Sequence, residues 1–339
     1  MPTRSGILAG GNWIVDHVKM IDVYPAQDAL ANIADESPSN GGGPFNLLAD
    51  LARMGVSFPL QGVGLTGDDE AGRWIRERCD ELRIDATRLT TTSEAPTSYT
   101  DVMTVRSTGR RTFFHQRGAN ALLGPEQFDL ASSDARLFHL GYLLLLDRLD
   151  APDAKHGTVA AALLAQAREA GFKTSIDLVS EDSGRFREVA GPSLRHSDYA
   201  VMNEFEAERL TGLDLRSGDR LDAANVRRAA ARLKREGVGE WVVIHFPEGA
   251  IACGRDHETL GQGSVLLPPA SIAGAAGAGD AFAAGLLFGL HEDVPIDQCL
   301  RYGVCVAAAC LSHATTSGGV RPLADCQRLG DEFGYRPTP

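Results

Sequence analysis

The chain has 339 residues, 43% of them hydrophobic and 23% charged, enough for a large buried core and ordinary for a globular protein. A formal net charge of −12 argues against nucleic acid or an anionic membrane as the main partner. The apolar run Ile7–Ala9 is too short for a signal sequence, no stretch approaches the ~20 apolar residues of a membrane span, and the six cysteines include no C-x-x-C pair; a reduced, cytoplasmic protein without disulfides or a zinc site is expected.

A buried strand is expected at Gly6–Gly11, and Trp13–Val23 and Ala29–Ala34 read as extended. Residues Phe45–Met54 carry apolar groups at helical spacing (Phe45, Leu48, Leu51, Ala52) and stop at Gly55. A strand at Phe58–Val63 and an amphipathic helix at Glu70–Leu82 follow. Thr97–Val105 and Arg111–Arg117 flank Ser107–Arg110 as the two arms of a β-hairpin. From residue 136 onward, strands (Leu137–Leu140, Lys173–Asp177, Tyr199–Met202, Trp241–His245) alternate with helices (about Asp153–Ala170, Glu204–Leu210, Ala223–Glu236, Gly279–Leu290, Ile296–Ser312). That rhythm predicts an α/β fold: a doubly wound, mainly parallel central sheet flanked by helices. The early extended pieces and the hairpin fall outside the rhythm and are assigned to a small β appendage. No linker, internal repeat or low-complexity tract divides the chain, so a single domain over residues 1–339 is expected.

Four elements carry chemistry. The first is Gly274-Ala275-Ala276-Gly277-Ala278-Gly279-Asp280, which runs directly into an apolar helix. Small residues let backbone approach a ligand, and free N–H groups at a helix N-terminus cradle an anion. An acid in that place makes sense as a base acting on the group that attacks a phosphate, and the helix N-terminus is expected to keep it ionised. The second is Asn40-Gly41-Gly42-Gly43-Pro44-Phe45-Asn46, where glycine backbone and the Asn46 amide suit the hydroxyls of a polar ligand; the plain alternative is a turn with Pro44 at the first helical position. The third is Asp16, a solvent-facing strand residue or an acceptor for two ligand hydroxyls. The fourth is Asn203-Glu204-Phe205-Glu206. It has the form of a capping box, but it follows a buried strand at the sheet's carboxyl end, where α/β ligands bind, and Glu206 there suits a hydrated Mg²⁺. A further pattern, Gly62-Val63-Gly64-Leu65-Thr66-Gly67 with Asp85 beyond it, imitates a dinucleotide fingerprint, but Glu81–Arg88 is too polar for the buried strand that reading requires.

In this order the elements resemble the ribokinase-like (PfkB) carbohydrate kinase family. Gly41, Gly42, Asn46 and Gly55 match its first signature, and Gly277-Ala278-Gly279-Asp280 match the end of its second, D-T-x-G-A-G-D. Gly64–Asp69 with Gly72, Gly118-Ala119-Asn120, and Asn203 to Glu206 with Leu210-Thr211-Gly212 are supporting matches, and the resemblance runs from about residue 6 to 325. It implies ATP-dependent phosphorylation of a sugar hydroxyl beneath a β-stranded lid, here about residues 13–39 and 97–118. Asp280 is the implied base, and the N–H groups of Gly277, Ala278 and Gly279 the anion hole. Asp16, Gly42, Gly43 and Asn46 are the implied sugar contacts. Asn203 and Glu206 are placed near Mg²⁺ and phosphates, the metal held through water, with His245 and Gly249 beside the nucleotide. Alternation in the hairpin adds Tyr99, Asp101, Phe114, His115 and Arg117 as lid residues facing the substrate; the pair His115 and Arg117 hints at an acidic or highly polar one.

There are departures. The second signature's Asp-Thr is Gly274-Ala275 here, which removes a side-chain ligand of a monovalent cation. The turn Phe246–Ala250 lacks the Gly-Ser/Lys pattern of the nucleotide site, and Gly141-Tyr142-Leu143 stands where ribokinases have a sugar-contacting Glu, which argues against D-ribose. A nucleoside kinase, which Trp13 and Phe45 keep open, and a non-catalytic sugar-binding regulator are the alternatives. The expected partners are a small sugar and, through an exposed lid strand, a second copy of the chain, with neither nucleic acid nor membrane.

Overall fold

The computed structural model describes residues 4–181, 183–256 and 258–339. Its main sheet has nine strands, in the spatial order Thr259–Gly263, Gly249–Cys253, Trp241–Phe246, Tyr199–Asn203, Lys173–Leu178, Leu137–Leu143, Ile7–Gly11, Leu60–Gly67 and Asp85–Thr92. The seven from Trp241–Phe246 to Asp85–Thr92 run parallel, and the other two continue the sheet as an antiparallel meander. Ile7–Gly11 lies in the middle with every residue buried, as a strand covered on both faces requires. Its side chains alternate: Ile7 and Ala9 enter one apolar cluster with helices Gly43–Met54, Ala278–His291 and Ile296–Cys310, while Leu8 enters another with helices Val159–Glu169, Glu204–Thr211 and Ala223–Arg235. The expected α/β sheet with helices on both faces is therefore present.

Beside it stands a four-stranded sheet in the order Ile33–Gly41, Ile14–Ile21, Ser98–Val105, Arg111–Gln116. The middle pair is parallel and the outer pairs antiparallel. The expected hairpin is here; the second extended piece runs over 33–41 instead of Ala29–Ala34.

Two further expectations are corrected. Asp85–Thr92 does form a parallel strand, at the sheet's edge with Leu89 its one buried residue, so a polar sequence suffices. It begins at Asp85 rather than ending there, which removes the dinucleotide geometry. Gly62 and Gly64 make room for the Trp13 indole, whose Nε1 donates to the Val63 carbonyl at 3.0 Å; a Cβ on either glycine would strike the ring. Finally, the helix expected from Asp153 begins at Val159. Pro152–Asp153 pairs with Gly157–Thr158 first, and the Thr158 hydroxyl then accepts from the Ala161 N–H as N-cap.

Candidate active site

A cavity of about 690 Å³ lies between the carboxyl ends of the central strands and the inner face of the small sheet. Such a crevice is where open α/β sheets bind ligands, because loops and helix N-termini converge there. Helix Ala278–His291 starts at its floor. Gly277 caps it at φ 72°, a left-handed conformation with no room for a Cβ against the Thr316 carbonyl. Among the described residues, no protein acceptor is found for the N–H groups of Gly277 and Gly279, and that of Ala278 makes only a long 3.4 Å contact to Ala275. These donors line the cavity together with Asp280.

Asp280 is 7% exposed, and two donors fix both its oxygens: Tyr142 Oη to Oδ1 at 2.7 Å and Asn46 Nδ2 to Oδ2 at 2.9 Å. Burial pushes its carboxyl up to about 6, against the pull of Tyr142 and then Asn46. The helix terminus does not offset that desolvation, but a carboxyl at about 6 is still mostly ionised at neutral pH. Asn46 is itself held. Asn40 Nδ2 donates to its Oδ1 at 2.7 Å and to Ser317 Oγ at 3.0 Å, which turns the Asn46 amine toward Asp280. Helix Gly43–Met54 brings Asn46 here after Gly42, whose φ of 85° and contact with Asn12 leave no space for a side chain.

Asp16 reaches the same cavity from the small sheet, and its carboxylate packs where a Cβ on Gly41 would be. Burial raises its carboxyl to about 7; Thr100 lowers it and the Asp280 charge raises it further. Asn203 and Glu206 form the capping box in full: Glu206 N–H donates to Asn203 Oδ1 at 3.0 Å, and Asn203 N–H to Glu206 Oε2 at 2.9 Å. Both also line the cavity. Ser180 Oγ donates to Glu206 Oε1 at 2.8 Å, and burial still lifts Glu206 to about 7. His245 lines the floor next to Gly279 and is kept neutral by burial, its imidazole pushed down to about 4.

Other expected residues sit elsewhere. Gly43 begins its helix against the Tyr142 ring, and Gly249 pairs with Gly263 in the sheet; neither lines the cavity. The hairpin register pairs Thr100 with His115 and Asp101 with Phe114, so Thr100, Val102, Thr104 and His115 face inward. Tyr99 and Asp101 turn outward, Tyr99 edge-on to His17 at 5.7 Å and Asp101 onto Lys19, and Phe114 is 51% exposed. Arg117 lies past the strand end and bonds to Asp147 Oδ1 at 2.6 Å. Trp13 and Phe45 stack at 5.2 Å within the core, away from the cavity.

Among the site residues that escaped the sequence reading are Asp177 and Tyr142. Asp177 ends its strand run beside Asp280 and Glu206, and burial plus both charges raise its carboxyl well above the usual range. Its place at the carboxyl end of a predicted strand was the available signal. Tyr142 stood out in the sequence only for what it replaces, yet its hydroxyl bonds to the Asp280 carboxylate.

A sheet of this topology, roofed by a second sheet and with a buried, oriented acid at a helix N-terminus, defines the class: a small-molecule kinase of the ribokinase-like fold. The chain belongs to the pfkB family of carbohydrate kinases, whose profile it matches over residues 11–322. It is 28% identical to the ATP-dependent ribose-1-phosphate kinase of Halopiger xanaduensis over 329 residues, 94% of this chain and 95% of that one. It is 25% identical to the ribokinase of Arabidopsis thaliana over 273 residues, 80% of this chain and 66% of that protein. The fold matches the Arabidopsis thaliana ribokinase complexed with ribose and ATP at a TM-score of 0.76 and 19% identity, covering 96% and 98% of the two chains. The protein is thus a carbohydrate kinase, in a family that acts on sugars or nucleosides. Among the described residues, no helix is long and apolar enough to cross a membrane.

Proposed function

We propose that this kinase transfers the terminal phosphoryl group of ATP to a hydroxyl of a sugar or sugar-like polyol, with Asp280 as the general base. The observation that carries the reading is the placement of Asp280: both oxygens are oriented by Tyr142 and Asn46, within a cavity whose floor is a helix N-terminus. Asp280 takes the acceptor's proton as that oxygen bonds to phosphorus and the bond to ADP breaks. A carboxyl near 6 is mostly ionised at neutral pH yet basic enough to take it. The N–H groups of Gly277, Ala278 and Gly279 face the charge that builds on the transferring group, where fixed dipoles in a closed site act most strongly. Asp16, Gly42 and Asn46 hold the acceptor's hydroxyls. The small sheet acts as a lid within a single domain and excludes water that would otherwise take the phosphoryl.

The buried acids Asp177 and Glu206 supply hard oxygen donors with no cation beside them among the described residues, which suits Mg²⁺. No three such side chains among the described residues are close enough to chelate a metal directly, so Glu206 and Asp177 would act through its water shell. Bound there, Mg²⁺ would neutralise phosphate charge. Asn203 and His245 stand beside the same floor as phosphate-side contacts. A monovalent cation fits poorly: Gly274 and Ala275 offer no side-chain oxygen, and Cys310 Sγ already donates to the carbonyls of Ala276 and Thr316 at 3.2 and 3.1 Å.

The aromatic support for a nucleoside acceptor weakens, since Trp13 and Phe45 lie in the core. We place a homodimer contact on the outer face of the lid, where Ile33 is 51%, Phe114 51% and Leu30 82% exposed. The test of the whole reading is ADP release with a panel of sugars, sugar acids and nucleosides. Turnover of at least one is expected, and its abolition in Asp280→Asn; an active Asp280→Asn enzyme refutes the mechanism.

A further inference from the structure

If the cavity is the acceptor site argued above, its charges constrain the acceptor further. Carboxyl groups crowd the cavity: Asp16, Asp177, Glu181, Glu206 and Asp280 all line it. Arg111 is the one Arg or Lys among the lining residues. It enters from the lid's outer strand and pairs in register with Thr104, which pairs in turn with Met20. That row lies four residues, roughly 13 Å, along the strands from the row holding Asp16, Thr100 and His115. The Arg111 backbone is thus set back from the reacting centre, while the charge of its side chain reaches as far as the Cys310 thiol.

Its surroundings are unusual for an arginine. Arg117, Arg185 and Arg216 each have a carboxylate partner, at 2.6, 2.8 and 2.8 Å. Arg111 has none within ion-pair reach among the described residues, and its Nη1 is sealed from solvent without a hydrogen-bond partner. Its nearest ring, Phe113, has its centroid 5.9 Å away. Two neighbours on the same inward face, Thr104 Oγ1 and His115 Nε2, are also buried and unpartnered. A guanidinium stays charged in any such setting, and leaving one of its donors unpaired and desolvated is costly unless a ligand supplies an acceptor. Its planar fork matches the paired oxygens of a carboxylate or phosphate. His115, its Nδ1 on Thr100 Oγ1 at 3.0 Å and its imidazole pushed down to about 4 by burial and then by Arg117, brings a neutral ring nitrogen and no competing charge.

We propose that Arg111, with Thr104 and His115, is the recognition site for an anionic group on the acceptor, so that the substrate is a sugar carrying a carboxylate or a phosphate ester remote from the hydroxyl that is phosphorylated. The sequence hint of an acidic substrate rested on the pair His115 and Arg117; His115 does face the cavity, but Arg117 is spent on Asp147, and the cationic part falls to Arg111.

The test separates recognition from turnover by measuring calorimetric binding to the Asp280→Asn enzyme. Gluconate is compared with glucose, and ribose phosphate with ribose, to distinguish carboxylate from phosphate. The anionic member of at least one pair is expected to bind about ten- to a hundredfold more tightly than its neutral partner, the range of a charge-assisted hydrogen bond. That preference collapses in Arg111→Gln and falls partway in Arg111→Lys, which keeps the charge and loses the fork. Should Arg111→Gln fail to fold, Thr104→Val must lower the preference instead. Equal binding, or none, in both pairs overturns the proposal. So does an Arg111→Gln enzyme whose KM for ATP rises while its anion preference stays intact. An anion preference in a wild-type enzyme that turns over no acceptor would leave the Arg111 site standing and sink the kinase mechanism alone.

Discussion

Replacing Asp280 with asparagine should separate catalysis from stability in opposite directions. The substitution keeps shape and removes the base, so kcat should fall about 10²–10⁴-fold with acceptor binding largely retained. Stability follows from the proton. A carboxyl with an unfolded value of 3.8 and a folded value of about 6 binds its proton more tightly in the folded state. Its contribution is therefore most favourable below the unfolded value and is lost as pH rises to the folded one. The shift of about two units corresponds to roughly 3 kcal/mol of destabilisation above pH 6, at about 1.4 kcal/mol per unit. The amide introduced by Asp280→Asn carries no charge and escapes that penalty; its oxygen keeps the Asn46 amine while its own amine faces the Tyr142 hydroxyl, which accepts as well as donates. The Asp280→Asn protein should therefore unfold several degrees above wild type at pH 8 and close to it at pH 5, where wild-type Asp280 is largely protonated. Steady-state ADP release and thermal unfolding at the two pH values test this directly. Turnover within about tenfold of wild type, or a difference in unfolding temperature that does not change with pH, would refute the argument.

Tyr142→Phe removes the stronger of the two bonds that hold the Asp280 carboxyl down, so the acid limb of kcat/KM should move up by about one pH unit, read from a pH–rate profile; an unmoved limb would mean that the Tyr142 hydroxyl does not act on the base. Exchanging K⁺ for Na⁺ or choline should leave kcat unchanged within about twofold, because Gly274 and Ala275 provide no side-chain oxygen; strong activation by K⁺ would show that backbone carbonyls suffice. Ile33→Asp combined with Phe114→Asp should halve the mass measured by light scattering with the far-UV spectrum unchanged, and a monomeric wild type would dismiss the lid contact.

The difference between what the sequence revealed and what it hid follows the range of the interactions. The sheet was legible because Ile7–Gly11, Tyr199–Asn203 and Trp241–Phe246 are runs of local apolar residues, and the helix starts at Ala278 and Glu204 because small or capping residues mark them. Asp85–Thr92 was lost because an edge strand satisfies itself with one buried residue, and no local pattern says which strand will be at the edge. On the lid, period-two alternation does not say which parity of one strand shares a face with which parity of the next. The register pairs each residue with a partner of opposite parity, Thr100 with His115 and Asp101 with Phe114, so Tyr99 and Asp101 could not share a face with His115. Arg117 has the inward parity, but the strand ends at Gln116 and the next residue turns away toward Asp147. Arg111 has the same parity and stays on the strand. The chemistry foreseen for the lid was thus moved by six positions rather than removed, and the residue that should set acceptor choice is the one whose guanidinium the protein itself leaves unpaired.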